Sequence, residues 1–306
     1  MTETFQSEHI LVTGASGFIG AHLCRRLLRQ GARVVGVSRA HPERLPEGVE
    51  PCTANLAHSA EVEQLLAREK PDRIFHLASC VKGGRSRDLV EPTFSANLAS
   101  TVHLMTAAAG LGTCRSFVLT GSLEEPETVQ AAPSSPYAAS KAAASAYARM
   151  FHALYAFPAV IARVFMVYGP DQKDRNKLVP YVIDTLLRGE TPKMSSGTRL
   201  VDWIYVDDVV DGLMRLAVGD NLAGQTVDIG SGRLESVRSV VERIHRLMNS
   251  AAALQFDPAA DRPLEQVRTA DMERTESLAG WRPRFTLDQG LQATIDWHRE
   301  RMASHP

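Results

Sequence analysis

The stretch Ile10-Leu11-Val12-Thr13-Gly14-Ala15-Ser16-Gly17-Phe18-Ile19-Gly20 indicates how this chain begins to fold. A short apolar run leads directly into three glycines, and a helical pattern follows at once. Gly14 permits a tight turn, Gly17 leaves room for a diphosphate beside the backbone, and Gly20 lets the next helix pack against the strand. The positive end of that helix favours an anion. The order of strand, glycine turn and helix predicts a dinucleotide site more strongly than a turn without a ligand.

The composition of the whole chain excludes several kinds of protein. With 306 residues, of which 44% are hydrophobic and 23% charged, it has the make-up of a globular protein with a substantial core. The formal net charge of -1 gives no sign of bulk binding to nucleic acid or to an anionic membrane. No apolar run is long enough to span a bilayer, and the first residues do not form a secretion signal. We therefore expect a cytoplasmic protein.

The cysteines point to the same compartment. The chain has four of them, and they are too widely spaced to form a CxxC pair. Reduced thiols fit this spacing better than a disulfide framework or a zinc site, so we expect no metal centre. These residues are Cys24, Cys52, Cys80 and Cys114.

Strand and helix patterns alternate along the chain, which predicts an α/β protein. We expect a Rossmann-type doubly wound parallel sheet with a smaller C-terminal substrate-binding lobe. Residues 1–165 are predicted to form the dinucleotide-binding domain, to which a strand near 226–230 returns, and residues 166–306 the lobe. One continuous helix is predicted over Thr93–Gly110, and the region after Pro170 is predicted to mix helices with long loops.

The end of the second predicted strand bears on the choice of cofactor. An acidic residue there would accept a hydrogen bond from the ribose 2′-hydroxyl and select NAD. This chain has Ser38 and Arg39 instead, and the guanidinium of Arg39 suits a 2′-phosphate. The pattern favours NADP, with NAD and a merely solvated Arg39 as the alternatives.

Three residues suggest proton-transfer chemistry. Tyr137 and Lys141 lie four positions apart on a predicted helix, so their side chains share one face. An ammonium beside a phenol favours the phenolate and brings proton transfer closer to neutral pH. Ser122, at the end of a neighbouring strand, is placed to bond the same substrate oxygen.

With these motifs the sequence resembles the extended short-chain dehydrogenases/reductases, in the NAD-dependent epimerase/dehydratase branch that modifies nucleotide sugars. The resemblance covers nearly the whole chain and is more specific for the family than for the reaction. It rests on Gly14–Gly20, His76-Leu77-Ala78, Ser122, Tyr137-Ala138-Ala139-Ser140-Lys141, Tyr168-Gly169-Pro170, Tyr205-Val206-Asp207-Asp208 and Trp281-Arg282-Pro283.

The resemblance implies a role for each matching residue. Tyr137 is implied as the acid/base, Lys141 as the residue that lowers its pKa and holds the nicotinamide ribose, and Ser122 as the partner of the reacting oxygen. The other implied cofactor-binding residues are Gly14, Ser16, Gly17, Phe18, Ile19, Asn55, Leu56, Leu77, Ala78 and Ser79. The implied substrate-binding residues are Glu124, Lys177, Leu178, Arg199 and Arg262.

The sequence also departs from the family at positions that bear on the reaction. Ser122-Leu123-Glu124 stands where the dehydratases carry Thr-Asp-Glu, so the missing acid disfavours 4,6-dehydration. Glu124 either orients substrate or faces solvent. Met166 replaces an asparagine that touches the diphosphate in many relatives, and Val201 replaces an arginine. Arg199, two positions earlier, is a candidate to reach the same phosphates.

These observations favour an NADP-linked 4-ketoreductase of an NDP-4-keto-6-deoxyhexose. The alternatives are an NDP-sugar epimerase with tightly bound NAD, a reductase of a carbonyl compound without a nucleotide, and a non-catalytic dinucleotide-binding sensor. The resemblance further implies a homodimer that pairs through the helices Thr93–Gly110 and Tyr137–Tyr155. No nucleic acid or membrane partner is expected.

Overall fold

The computed structural model describes residues 5–38, 42–128, 130–258 and 267–304. The chain divides into two compact units, each assembled from three stretches of sequence. The first unit comprises Met1–Val164, Val210–Ile229 and Glu273–Trp281. The second unit comprises Phe165–Val209, Gly230–Met272 and Arg282–Pro306. Within the described ranges, no helix is both long and apolar enough to cross a membrane.

Strands and helices alternate through most of the chain. The described strands are β1 His9–Thr13, β2 Arg33–Ser38, β3 Glu50–Thr53, β4 Arg73–His76, β5 Ser116–Ser122, β6 Ala159–Val164, β7 Met166–Tyr168, β8 Lys193–Ser195, β9 Leu200–Tyr205, β10 Thr226–Ile229, β11 Leu234–Ser236 and β12 Gln255–Asp257. The described α-helices are α1 Phe18–Arg29, α2 Ser59–Glu69, α3 Val90–Thr93, α4 Ser100–Leu111, α5 Pro136–Tyr155, α6 Leu178–Leu187, α7 Val206–Val218, α8 Val237–Leu247, α9 Met272–Ala279 and α10 Leu287–Ser304.

The first unit is built on a seven-stranded parallel sheet in the order β3-β2-β1-β4-β5-β6-β10. Leu11 in β1 stands opposite Val35 on one side and Ile74 on the other. These side chains belong to a buried cluster that also contains Phe117 of β5 and Leu104 of α4. The predicted Rossmann-type parallel sheet is confirmed.

The helix predicted over Thr93–Gly110 is interrupted. A π-helical segment, Phe94–Ala99, separates α3 from α4. The hydroxyl of Ser100 donates to the carbonyl of Ala96 at 2.7 Å, and that of Thr101 donates to the carbonyl of Asn97 at 2.5 Å. A wider turn changes which residues face inward, and it brings the polar side chain of Asn97 into the interior, where it is 2% exposed.

The second unit contains two small sheets that the sequence analysis did not predict. β9 pairs with β7 in parallel and with β11 in antiparallel fashion, and β8 pairs with β12 in parallel. The buried carboxylate of Asp202 in β9 accepts hydrogen bonds from the backbone N–H groups of Ser231, Gly232 and Ala270 at 2.7 to 3.0 Å. One side chain thus fixes two loops that the sequence alone presents as irregular.

Candidate active site

The glycine turn after β1 is closely packed against the chain that follows β4. Gly14 has a φ of +70°, and a Cβ added there would lie 2.8 Å from the backbone nitrogen of Ala78. A Cβ at Gly20 would overlap the carbonyl oxygen of Gly14. Helix α1 begins just after Gly17 and has no acidic residue in its first turn. The close backbone packing at Gly14 and Gly20, and a helix end without an acidic residue, fit the diphosphate of a dinucleotide.

The other predicted cofactor residues lie at one edge of the sheet. Because β1 to β4 are parallel, the residues at their carboxyl ends share that edge. Ser16 lies in the turn and Phe18 and Ile19 open α1, while Ser38 ends β2. Asn55 and Leu56 follow β3, and Leu77, Ala78 and Ser79 follow β4. Arg39, on which the preference for NADP depends, lies outside the described residues.

The three predicted catalytic residues come together in the first unit. Ser122 is the last residue of β5, and Tyr137 and Lys141 lie on α5. Ser122 and Tyr137 share a side-chain hydrogen bond. The Lys141 ammonium lies 5.9 Å from the centroid of the Tyr137 ring and donates to the carbonyl of Thr120 at 2.8 Å.

The start of α5 explains why Tyr137 is held in place. Pro136 opens the helix, where its missing N–H group leaves no hydrogen bond unmade. The hydroxyl of Ser135 caps the helix by accepting from the backbone N–H of Ala138 at 3.1 Å. Tyr137 therefore lies in a capped first turn.

Burial is the largest influence on the pKa values of Tyr137 and Lys141. It raises the pKa of Tyr137 to about 12; the hydrogen bond from Ser122 opposes the rise, and the carboxylates of Glu124 and Glu125 add to it. Burial lowers the pKa of Lys141 to about 8, which the charge of Glu125 opposes. The expected lowering of the Tyr137 pKa by Lys141 is not seen. The ammonium bonds a backbone carbonyl and lies over the ring, and desolvation disfavours the phenolate.

A hydrogen-bonded chain links the glycine turn to α4. The backbone N–H of Ala78 donates to Thr13 Oγ1 at 3.1 Å, and Thr13 Oγ1 lies 2.7 Å from His76 Nδ1. Thr101 Oγ1 gives its proton to Asn97, so it accepts from His76 Nε2 at 2.9 Å. His76 Nδ1 is then an acceptor and the ring is neutral. Burial, with Lys141 nearby, lowers the His76 pKa to about 3.

Asn97 is a site residue that the sequence analysis missed. Its Oδ1 accepts from the Ser79 hydroxyl at 3.0 Å and from the Cys80 N–H at 2.6 Å. Its Nδ2 donates to Ser140 Oγ at 2.8 Å. One amide therefore ties the end of β4 to the helix that bears Tyr137. In the sequence Asn97 is one of several polar residues in this segment, so the pattern did not mark it as buried.

Glu125 is the second residue that was missed. It is only 5% exposed, and its Oε1 accepts from the backbone N–H of Ser122 at 2.8 Å. Its neighbour Glu124 is half-buried, and the Glu124 N–H donates to Ser122 Oγ at 3.2 Å. In the sequence Glu125 is one acidic residue among several, with no periodic pattern to mark it as buried.

The remaining predicted substrate residues lie in the second unit. Lys177 is exposed at the start of α6, of which Leu178 is the first residue, and Arg199 is half-buried just before β9. Arg262 lies outside the described residues. Met166 and Val201, the two departures from the family pattern, lie on the neighbouring strands β7 and β9. The binding roles of Lys177, Leu178 and Arg199 stay predictions.

Comparison with known proteins places the chain among enzymes. Residues 10–230 match the NAD dependent epimerase/dehydratase family. A UDP-glucose 4-epimerase of Mycolicibacterium smegmatis is 33% identical, covering 95% of this chain and 98% of that protein. A dTDP-glucose 4,6-dehydratase of Salmonella typhimurium is 28% identical, covering 94% of this chain and 92% of that protein.

The fold comparison agrees with the sequence comparison. The structure of Bordetella bronchiseptica WbmF in complex with NAD+ and UDP has a TM-score of 0.84 and 25% identity, covering 98% of this chain and 94% of that chain. The predicted resemblance is confirmed, and relatives that are enzymes favour catalysis over a silent sensor. The chain belongs to the NAD dependent epimerase/dehydratase family, the nucleotide-sugar enzymes among the extended short-chain dehydrogenases/reductases.

Proposed function

We propose that the protein is an NAD-dependent nucleotide-sugar 4-epimerase. The observation that carries this proposal is the Ser122–Tyr137 hydrogen bond beside Lys141, at a strand end where Leu123 offers no acid. The relative from M. smegmatis, a UDP-glucose 4-epimerase, supports the assignment and makes a UDP-sugar the first substrate to test.

The glycine turn is the proposed site of the cofactor diphosphate, and Ser38, Asn55, Leu56, Leu77, Ala78 and Ser79 are proposed to line the rest. NAD+ supplies a hydride acceptor and a positive charge. A positive charge near the phenol favours the phenolate, which offsets part of the burial that holds the Tyr137 pKa near 12. Lys141, with a pKa of about 8, is mostly an ammonium at neutral pH, and it donates to the carbonyl of Thr120 at 2.8 Å.

Tyr137 is proposed to exchange a proton with the hydroxyl at C4 of the sugar. Ser122 Oγ accepts from the Glu124 N–H, so its own proton is free to be donated to the oxygen of Tyr137 or of the substrate. Leu123 cannot protonate a leaving hydroxyl. The residue set therefore supports oxidation and reduction at one carbon rather than loss of water.

We propose that residues of the second unit bind the nucleotide part of the substrate. A nucleotide diphosphate is an anion, and Lys177, Arg199 and Arg262 are the cations proposed to bind it. Leu178 is proposed to contact the nucleotide. Glu124, whose N–H donates to Ser122 Oγ, is proposed to contact the sugar. The division near residue 165 between cofactor-binding and substrate-binding parts stays a proposal, with Val210–Ile229 and Glu273–Trp281 grouped in the first unit.

A 4-ketoreductase that uses NADPH is the second candidate. Tyr137 is a protonated phenol at neutral pH, which is the form that donates a proton to a ketone. Ser38 and Arg39 follow the pattern that suits a 2′-phosphate. The same geometry also supports a reductase of a carbonyl compound without a nucleotide, which the departures at Met166 and Val201 favour.

The two candidates differ in what happens to the cofactor. We expect the purified protein to interconvert UDP-glucose and UDP-galactose with catalytic NAD and no net change in its absorbance. Consumption of one NADPH for each 4-keto sugar would instead identify the reductase. Failure to turn over any nucleotide sugar, while reducing a simple ketone, would overturn the nucleotide-sugar assignment.

We also propose that two copies of the chain pair through helices of the first unit. Phe94 is 50% exposed and Leu154 is 67% exposed, with Val90, Tyr147 and Tyr155 exposed on the same two segments. The Asn97–Ser140 hydrogen bond joins these segments directly. Exposed apolar side chains at helical spacing are typical of an interface, and a second copy would cover them through a two-fold contact.

A further inference from the structure

Glu125 makes contacts that no assigned role explains. Its carboxylate is buried at the end of β5 and accepts from the Ser122 N–H at 2.8 Å. The Glu125 N–H in turn donates to the Ser122 carbonyl at 3.1 Å. Residues 122 to 125 therefore form a closed turn that fixes both the backbone and the hydroxyl of Ser122.

Space for this carboxylate depends on Gly121. A Cβ added at Gly121 would lie 2.5 Å from Glu125 Oε1 and 3.1 Å from a methyl of Ile161. The carboxylate thus fills the volume that any other residue at 121 would occupy. This close approach places a negative charge directly behind the strand end that bears Ser122.

The charge of Glu125 acts on Tyr137, which shares a hydrogen bond with Ser122, and on Lys141. It favours the ammonium of Lys141 and disfavours the phenolate of Tyr137. The other titratable groups that act on this pair are Glu124, which also disfavours the phenolate, and His76, which is neutral. In the described part of the chain, the charged groups that act on Tyr137 and Lys141 are carboxylates.

We propose that Glu125 is a positioning residue of this site: its buried carboxylate fixes the backbone of Ser122 and supplies a negative charge beside the reacting group. This inference rests on the proposed function, since it takes Ser122, Tyr137 and Lys141 as the reacting group. An amide in place of the carboxylate keeps the acceptor for the Ser122 N–H and removes the charge. The two roles are therefore separable by substitution.

The first experiment measures the protonation of Lys141 without any substrate. The full-length protein is prepared with isotope-labelled lysine, and the chemical shift of the Lys141 Cε is followed by NMR over a range of pH. In the wild type, we expect a transition near pH 8. In Glu125→Gln we expect the transition at lower pH, because the charge that favours the ammonium is gone.

Glu127→Gln is the matched control, since Glu127 is an exposed carboxylate two positions away. We expect its Lys141 transition to match the wild type. Equal transitions in Glu125→Gln and the wild type would overturn the proposal. Because the measurement needs no nucleotide sugar, its outcome is independent of whether the proposed reaction is found.

The second experiment tests the positioning of Ser122. We expect Glu125→Ala to lower kcat by about 10- to 100-fold with little change in KM, because the reacting group shifts while the sugar nucleotide still binds. Glu125→Gln is expected to retain most of kcat and to shift the basic limb of the kcat/KM profile to lower pH. Equal losses in both variants, with an unshifted profile, would contradict the proposal.

Gly121→Ala tests the contact between Glu125 and Ser122 independently, because the added Cβ must displace the Glu125 carboxylate. We expect the double variant Gly121→Ala/Glu125→Ala to lose less activity than the product of the two single losses. Multiplicative losses would show that Gly121 and Glu125 act separately and would overturn this reading. Thermal unfolding of each variant identifies any that fail to fold.

Discussion

The side chains that matter most for proton transfer have their charges set by burial. Sequence spacing was enough to place Tyr137 and Lys141 on one face of a helix beside Ser122. It did not reveal that Tyr137 is held as a phenol, because the pKa depends on desolvation and on Glu124 and Glu125. The sequence was therefore sufficient to identify the candidate residues, but their protonation states depend on how they are packed in the folded protein.

The role of the phenol gives the first prediction. Tyr137→Phe is expected to reduce turnover by about 10²- to 10⁴-fold, because the group that exchanges the proton is removed. The increase in melting temperature on adding NAD should be retained. Tyr147→Phe removes a hydroxyl from the same helix and serves as the control. A Tyr137→Phe enzyme of near-normal rate would exclude this tyrosine as the acid/base.

The neutral His76 gives a prediction about acid stability. Its pKa is about 3 in the folded protein and about 6.5 when exposed, so the unfolded chain binds more protons between these values. The contribution of His76 is complete above pH 6.5 and is lost as the pH falls toward 3. Relative to His76→Gln, the wild type should lose about 3 kcal/mol of unfolding free energy between pH 6.5 and 4.

Urea denaturation of both proteins at each pH measures this difference directly. Other titrating groups are common to the two proteins and cancel in the comparison. A constant difference across the pH range would mean that His76 is not buried as the neutral ring. The hydrogen bonds from Thr13 and to Thr101 would then need another explanation.

At the scale of elements, sequence patterns predicted the helices and strands of the first unit well and those of the second unit poorly. Helix α1 follows the glycine turn as predicted and is observed at Phe18–Arg29, with Gly17 and Gly31 near its two ends. The Thr93–Gly110 pattern did not reveal the π-helical segment, which depends on where Asn97 finds partners. β9 is buried along nearly all its length, so it lacks the alternation that identifies a strand.

The close packing of the glycine turn after β1 leads to a prediction about NAD binding and stability. Gly20→Ala is expected to weaken NAD binding at least tenfold and to lower stability, because its Cβ overlaps the Gly14 carbonyl. Gly110→Ala is the matched control, a helical glycine with nothing within 4 Å of the added Cβ. It should stabilise the protein by about 0.5–1 kcal/mol. Isothermal titration and thermal unfolding check both expectations.

At the scale of the molecule, the proposed pairing of two copies is open to a direct test. We expect the wild type to have twice the chain mass by light scattering after size-exclusion chromatography. Phe94→Glu combined with Leu154→Glu should give the single-chain mass, because two charges would be buried in an apolar contact. The exposed Leu200, changed to Glu in the second unit, is the control. A wild type of single-chain mass would exclude the dimer.

The path of the chain through the seven-stranded sheet has a consequence for biosynthesis. β6 ends at Val164, but the strand that pairs with its outer edge, β10, begins only at Thr226. While the ribosome makes the residues between them, β6 presents a row of unpaired backbone groups, the kind of edge that adheres to neighbouring nascent chains. We therefore expect β6 to be most prone to association with other chains until β10 has been made.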